Sequence, residues 1–408
     1  MKHHPSRYAI SRRRILAGAG ATAAAVGFPA ISRAQAQSIK IGILHPVTGP
    51  LAYSGTQSRA GAVMALEAIN AAGGIKSLGG AKLEAVLADA QSKPEVGASE
   101  IDRLSEAGVA IVLGPYASGI ALATTQAAAR HGLPHVVDVG VADNIMDRGL
   151  PGIFRFGPGL GKVTEVAIDN LVTINDAAGK PAKTVMIVHE DAAFGSGMAK
   201  VLNDELPKRG FEILETISHP TPTRDFTNIV LKIKAAKPDV VIPSNYFNEY
   251  ILFARTLLQQ RVSPKAVYSV LGGAASNIKF VHENNDAAQY VMDCNHWYDP
   301  RKPQSQAFLQ KVDAQKLDLT YEVMLNYACM TLIADAIEHA ASDDRAKITA
   351  ALAASTFAGH IMPYGPTRFV NGQNQGAQPV NTQVQDGDIK VIFPADFADA
   401  KPVYPVPA

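Results

Sequence analysis

The sequence predicts an α/β protein of two doubly wound lobes, and three observations carry that reading. Short apolar runs alternate with longer helical patterns from residue 39 onward, the order expected of βαβ units around a mostly parallel sheet. The alternation fills one lobe-sized stretch and restarts after Pro158-Gly159. Near the end there is more helical pattern than a second lobe needs, so part of the chain is expected to return to the first.

In the first lobe, residues 39–45 read as a strand followed by a turn rich in Gly and Pro. Residues 57–71 read as a helix because Ala62, Ala65, Leu66 and Ile69 recur at i, i+3, i+4 and i+7, and Gly73-Gly74 stop it. Strands over 83–88, 109–114 and 135–139 and helices over 95–106 and 119–131 complete the lobe by about Phe156. A connecting helix then leads to strands over 184–189, 211–218, 240–243 and 266–271, with helices over 197–208, 226–236 and 248–260. A strand over 290–295, helices over 304–316, 321–341 and 345–354, and a turn-rich tail finish the chain. The expected division is 37–156 for lobe I, 157–296 for lobe II, 297–368 for helices returning to lobe I, and 369–408 for a tail mostly with lobe II. Two similar halves suggest an old duplication.

Residues 1–36 read as an export leader. Arg12, Arg13 and Arg14 follow Ser11, and Ile15-Leu16 open an uncharged, alanine-rich run to about Phe28. The layout resembles the twin-arginine export signal, with an ordinary Sec signal as the alternative. Ala34-Gln35-Ala36 supplies a small-x-small cleavage pattern, which puts the mature start near Gln37. No cysteine stands at that junction, so no lipid anchor is expected. Removing the leader takes 6 of the 38 basic residues and no acid, leaving 32 against 37 acidic. A mildly acidic chain without a basic patch excludes nucleic acid as the expected partner. No later run is apolar enough for a membrane helix, so an exported, soluble, periplasmic product is expected. Cys294 and Cys329 would then lie in an oxidising compartment, where two cysteines permit one bridge; the sequence leaves it open whether their Cα atoms come close enough.

Searches for catalytic patterns mostly fail. Gly195-Ser196-Gly197 and Ala117-Ser118-Gly119 have the wrong spacing for a nucleophile elbow. His189-Glu190 and His282-Glu283 lack a second metal ligand, so neither a metal site nor a cofactor is expected. The turn 45–50 carries prolines where a dinucleotide fingerprint needs glycines. Two lobes without a catalytic constellation point to binding. In Gly114-Pro115-Tyr116-Ala117-Ser118-Gly119 a strand ends just before a helix begins, so free N–H groups and the positive end of a dipole should face a cleft. Such an end suits a carboxylate, and Ser118 is equally expected as an N-cap of its own helix. The strand end 138–141 should meet the same crevice.

The segments "HPVTGPLAYSGTQSRAGAVMALEAINAAGGI", "GPYASGIALATTQAAARHGLPHV", "FRFGP", "EDAAFGSGM" and "RDFTNIVLKIKAAKPDVVI" together resemble the periplasmic substrate-binding proteins of branched-chain amino acid ABC transporters, the leucine/isoleucine/valine-binding family. The resemblance implies the type I periplasmic-binding fold, two lobes joined by three hinge crossovers that close on a small ligand, and delivery to a membrane permease. It also implies that Ser118, with the backbone at Val139 and Val141, holds a ligand carboxylate, and that Tyr116, Ala117 and Gly140 belong to the same ligand site. Phe194 would cover the ligand. Tyr53 or Ser54, Asn245 and Tyr246, and the turn at Gly273 correspond to other cleft positions, and Trp297 to packing near a crossover. Relatives that bind amino acids usually place an acid after a strand of the second lobe, whereas this sequence has Leu271-Gly272-Gly273-Ala274-Ala275. Either Asp138 or Glu190 pairs an ammonium from elsewhere, or the ligand is an amide or aromatic carboxylate that lacks one. The expectation is therefore a monomeric, non-enzymatic solute-binding protein. A ligand-sensing receptor module and an exported α/β hydrolase are the rivals.

Overall fold

The computed structural model describes Met1 and residues 38–407; the leader expected over 1–36 lies outside the described residues. The first stretch runs β1 (Ile39–His45), α1 (Ala52–Ala71), β2 (Leu83–Asp89), α2 (Pro94–Glu106), β3 (Ile111–Leu113), α3 (Ser118–Arg130), β4 (His135–Val137), α4 (Asn144–Asp147) and β5 (Ile153–Arg155). Next come α5 (Leu160–Ala177), β6 (Thr184–Glu190), α6 (Ala193–Glu205), β7 (Glu212–His219), α7 (Thr227–Ala236), β8 (Val240–Ser244), α8 (Phe247–Gln259), β9 (Ala266–Val270), α9 (Ile278–Glu283), α10 (Asn285–Ala288) and β10 (Met292–Asn295). The chain closes with α11 (Pro303–Gln315), α12 (Tyr321–Ala340), α13 (Arg345–Ala353), β11 (Phe369–Val370), β12 (Gln373–Asn374), β13 (Val380–Gln385) and β14 (Asp388–Phe393).

These strands form two seven-stranded sheets, β11-β12-β5-β4-β3-β1-β2 and β14-β13-β10-β9-β8-β6-β7. Strands β1 to β5 pair in parallel, and so do β6 to β10, whereas β13 joins β10 antiparallel. Central strands of this kind are covered on both faces, which is why β1 buries Ile41, Ile43 and Leu44 completely. The chain passes between the sheets after β5, after β10 and after β12, making three crossovers. The first and third lie side by side: Gln373 Nε2 donates to the Gly157 carbonyl at 2.9 Å, and Asn374 Nδ2 to that of Phe156 at 2.9 Å.

Two helices start earlier than the sequence predicts, α1 at Ala52 rather than 57 and α6 at Ala193 rather than 197. Glycines that precede the expected starts lie inside their first turns. A Cβ on Gly55 would stand 2.0 Å from the Pro46 carbonyl, and one on Gly195 2.2 Å from that of Glu190. Each glycine lets a helix begin directly against the strand end before it. The tail holds strands that sequence reading missed: β11 and β12 join the first sheet, and the β13–β14 hairpin joins the second. Cys294 in β10 and Cys329 in α12 are both buried and free, so the permitted bridge is absent from this structure.

Candidate functional site

A small, half-open cavity lies between the lobes, with about 350 Å³ of space once its open mouth is counted. Tyr116, Ala117, Ser118, Val139, Val141, Phe194, Tyr246, Leu271, His296 and Tyr321 line it. All but Tyr321 follow the carboxyl ends of strands, which is where open α/β sheets bind their ligands. Tyr321 comes from the first turn of α12.

The lobe I wall is built from backbone and one hydroxyl. Ala117 sits at the N-cap of α3 with φ 80° and ψ 125°, in a region an L-residue adopts only under constraint. Ser118 is therefore the first helical residue and does not cap its own helix, contrary to that sequence reading. Its Oγ instead accepts from the amides of Val141 and Ala142 at 3.2 and 3.1 Å. That leaves the hydroxyl proton to donate, and α3 starts without a side-chain cap. Because the Val141 amide is already occupied, its carry-over as a free ligand donor is corrected. Arg155, in the quoted FRFGP segment but not assigned a role from sequence, fixes this loop. Its Nη1 donates to the carbonyls of Val141 at 2.6 Å and Ala142 at 2.8 Å, while its Nε donates to Gln373 at 2.6 Å.

The lobe II wall is aromatic. Tyr246 packs 5.5 Å from Phe194 and 5.7 Å from Tyr116, measured between ring centroids. Phe194 is 6% exposed and belongs to the core beneath β6, β8 and β9. His296 stands on the second crossover, with Nδ1 2.9 Å from the Tyr364 hydroxyl and Nε2 unpartnered among the described residues. Burial lowers its pKa to about 4, so the ring is neutral at pH 7. His296, Leu271 and Tyr321 were missed from sequence; only the position of His296, beside Trp297 near an expected crossover, hinted at one of them.

Seven of the twelve predicted residues meet at the cavity: Tyr116, Ala117, Ser118, Val139, Val141, Phe194 and Tyr246. The other five stand behind or beside it. Tyr53 stacks on Phe247 of the opposite lobe at 3.9 Å and donates to Asp318 at 2.9 Å. Ser54 is buried behind the wall. Asn245 pairs through Nδ2 with His219 Nε2 at 2.6 Å. Gly140 and Gly273 allow close packing, since a Cβ would lie 2.8 Å from Ala121 Cβ and 2.5 Å from the Phe247 amide respectively. Trp297 is buried near Tyr298 and does not border the cavity.

Neither proposed ammonium partner borders the cavity. Glu190 spends both carboxylate oxygens on the first amides of α6, Ala192 at 2.6 Å and Gly195 at 2.5 Å. Asp138 is buried behind the wall, 3.8 Å from His45 Nδ1, and burial raises its pKa to about 6. Asp293 accepts from Gly272, Ser276 and Asn295. Glu322 is fully buried next to Tyr321, and desolvation raises its pKa to about 7. Ser54, Thr320 and Tyr321 relieve part of that penalty, yet neither Glu322 oxygen has a partner at hydrogen-bond geometry. Among the described residues, no hydrogen bond links Ser118 to an imidazole, as a hydrolase would require.

Two lobes on parallel sheets, three crossovers and a cavity at the facing strand ends define a solute-binding protein of the type I periplasmic-binding fold. The sequence profile of the family described as "periplasmic binding protein" matches residues 38–388, and the chain belongs to that family. It is 28% identical over 367 residues to a Leu/Ile/Val-binding protein homolog 7 of Brucella melitensis, covering 87% of this chain and 91% of that one. The fold is similar to that of a leucine binding protein from Thermotoga maritima, with a TM-score of 0.75, 19% identity, and 86% and 97% of the two chains covered. It is equally similar to an ABC transporter solute binding protein from R. palustris in complex with benzoate, with a TM-score of 0.75, 20% identity, and 87% and 95% covered.

Proposed function

We propose that the chain is exported through its leader, works as a monomer in the periplasm, and captures a small carboxylate solute for the permease of an ABC importer. The observation that carries this reading is the Ser118 seat: a hydroxyl held by two amides, with its proton free, at the uncapped start of a 13-residue helix facing the inter-lobe cavity. The Leu/Ile/Val-binding homologue and the benzoate-bound R. palustris protein support both the solute class and the transport role. Lobe I would receive the acid group, and lobe II would close over the rest with Phe194 and Tyr246. Only the closed form makes both sets of contacts, so ligand shifts the population towards it.

Thermal unfolding of the ligand-stripped protein against a panel of amino acids, amides and carboxylates tests this. A ligand held at about 100 times its Kd should add about 2.7 kcal/mol of stability. Silence across the panel would count against solute binding.

A further inference from the structure

We propose that the cleft takes a ring-bearing carboxylate without an amine, its acid group on Ser118 and a hydrogen-bonding ring substituent offered to His296. This rests on the solute-binding reading and narrows it to one ligand class.

None of the ten residues lining the cavity carries a charged side chain. The acids nearest it are committed or set back. Glu190 and Asp293 hold backbone and side-chain donors, Glu249 accepts from the Thr223 amide at 3.1 Å, and Asp138 and Glu322 are buried behind the wall. A ligand ammonium would therefore lose its water without gaining a counter-charge, which is costly in an enclosed site. A carboxylate meets the opposite situation, since the Ser118 hydroxyl and the dipole of α3 favour an anion.

The ring follows from the walls. Tyr246 lies within aromatic packing distance of both Phe194 and Tyr116, and Tyr321 completes the lining. These rings pack on one another, offering faces and edges to a flat ligand. His296 supplies the polar contact: it is 1% exposed, its Nε2 has no partner among the described residues, and its neutral state offers a hydrogen bond without a charge.

The test is calorimetric titration of the purified chain with 3-phenylpropionate against L-phenylalanine, which differ only in the α-amine, and with benzoate, 4-hydroxybenzoate and glycine betaine. The expected result is that 3-phenylpropionate binds at least about 100-fold more tightly than phenylalanine. 4-Hydroxybenzoate should bind about tenfold more tightly than benzoate, a ratio that His296→Phe narrows and His296→Gln largely keeps. Equal or tighter binding of phenylalanine or betaine would overturn the ligand class while sustaining solute binding. Failure of all five at millimolar concentration would also overturn it. Mass spectrometry of the natively purified protein would then show, by the presence or absence of a co-purifying small molecule, whether solute binding falls too.

Discussion

The two walls of the cleft solve the same problem with different materials. Lobe I presents a backbone loop and a serine hydroxyl, braced by Arg155, while Asp138 and Glu322 lie behind it with no partnered oxygen. Lobe II presents aromatic side chains that belong to its own core, and Glu190 and Asp293 are fully used by neighbouring donors. Burial raises the pKa of acids on both sides, but those of lobe II hold loops through paired oxygens, whereas Asp138 and Glu322 have no partner at hydrogen-bond geometry. On the proposed reading, lobe I receives the anion and lobe II covers it.

The largest expected effect separates core from lid. Phe194→Ala should lower unfolding stability by about 3–5 kcal/mol, because the ring fills the lobe II core; denaturant unfolding measures it. A loss below about 1 kcal/mol would mean that Phe194 does not fill the lobe II core and would break the contrast between the walls.

Neutralising one acid in each lobe should have opposite signs. The pKa of Glu322 is raised to about 7, so its contribution to stability is fully present below its unfolded value and is lost as pH rises through about 7. Glu322→Gln should therefore stabilise by about 3 kcal/mol at pH 8 and change little at pH 4, as read from melting midpoints across that range. Glu190→Gln should instead destabilise by about 1–3 kcal/mol at pH 8, since an amide cannot accept from both Ala192 and Gly195; the same melting series reads it. Equal signs would remove the distinction between the two sets of acids.

The smallest effect concerns the constrained residue beside Ser118. Ala117→Gly should relieve the positive φ and gain about 0.5–1 kcal/mol in denaturant unfolding.

Much of this fold was legible because β strands and amphipathic helices announce themselves by period. What escaped did so for identifiable reasons. The helices of Gly55 and Gly195 were started after these glycines, yet each is a contact residue that lets its helix touch the preceding strand end. The tail hairpins carried a signal that went unused: Asn371-Gly372 and Asp386-Gly387 both have positive φ at each residue, the geometry of tight hairpin turns. Phe194 and Tyr246 were found through resemblance to a family, and Ser118 through that resemblance together with its place between a strand end and a helix start. His296, Leu271 and Tyr321 escaped because each reaches the cavity through tertiary placement on a crossover, a strand end and a returning helix. Gly140, Asn245 and Gly273 were near misses, one step behind the wall they support.

The division of labour between the lobes is tested most directly by amide hydrogen exchange with and without a bound carboxylate ligand. Protection should be strongest at residues 117–120 and 139–142 of lobe I, with weaker protection around 192–195 and 245–247. Protection confined to the lobe II segments would contradict an anion seat on Ser118.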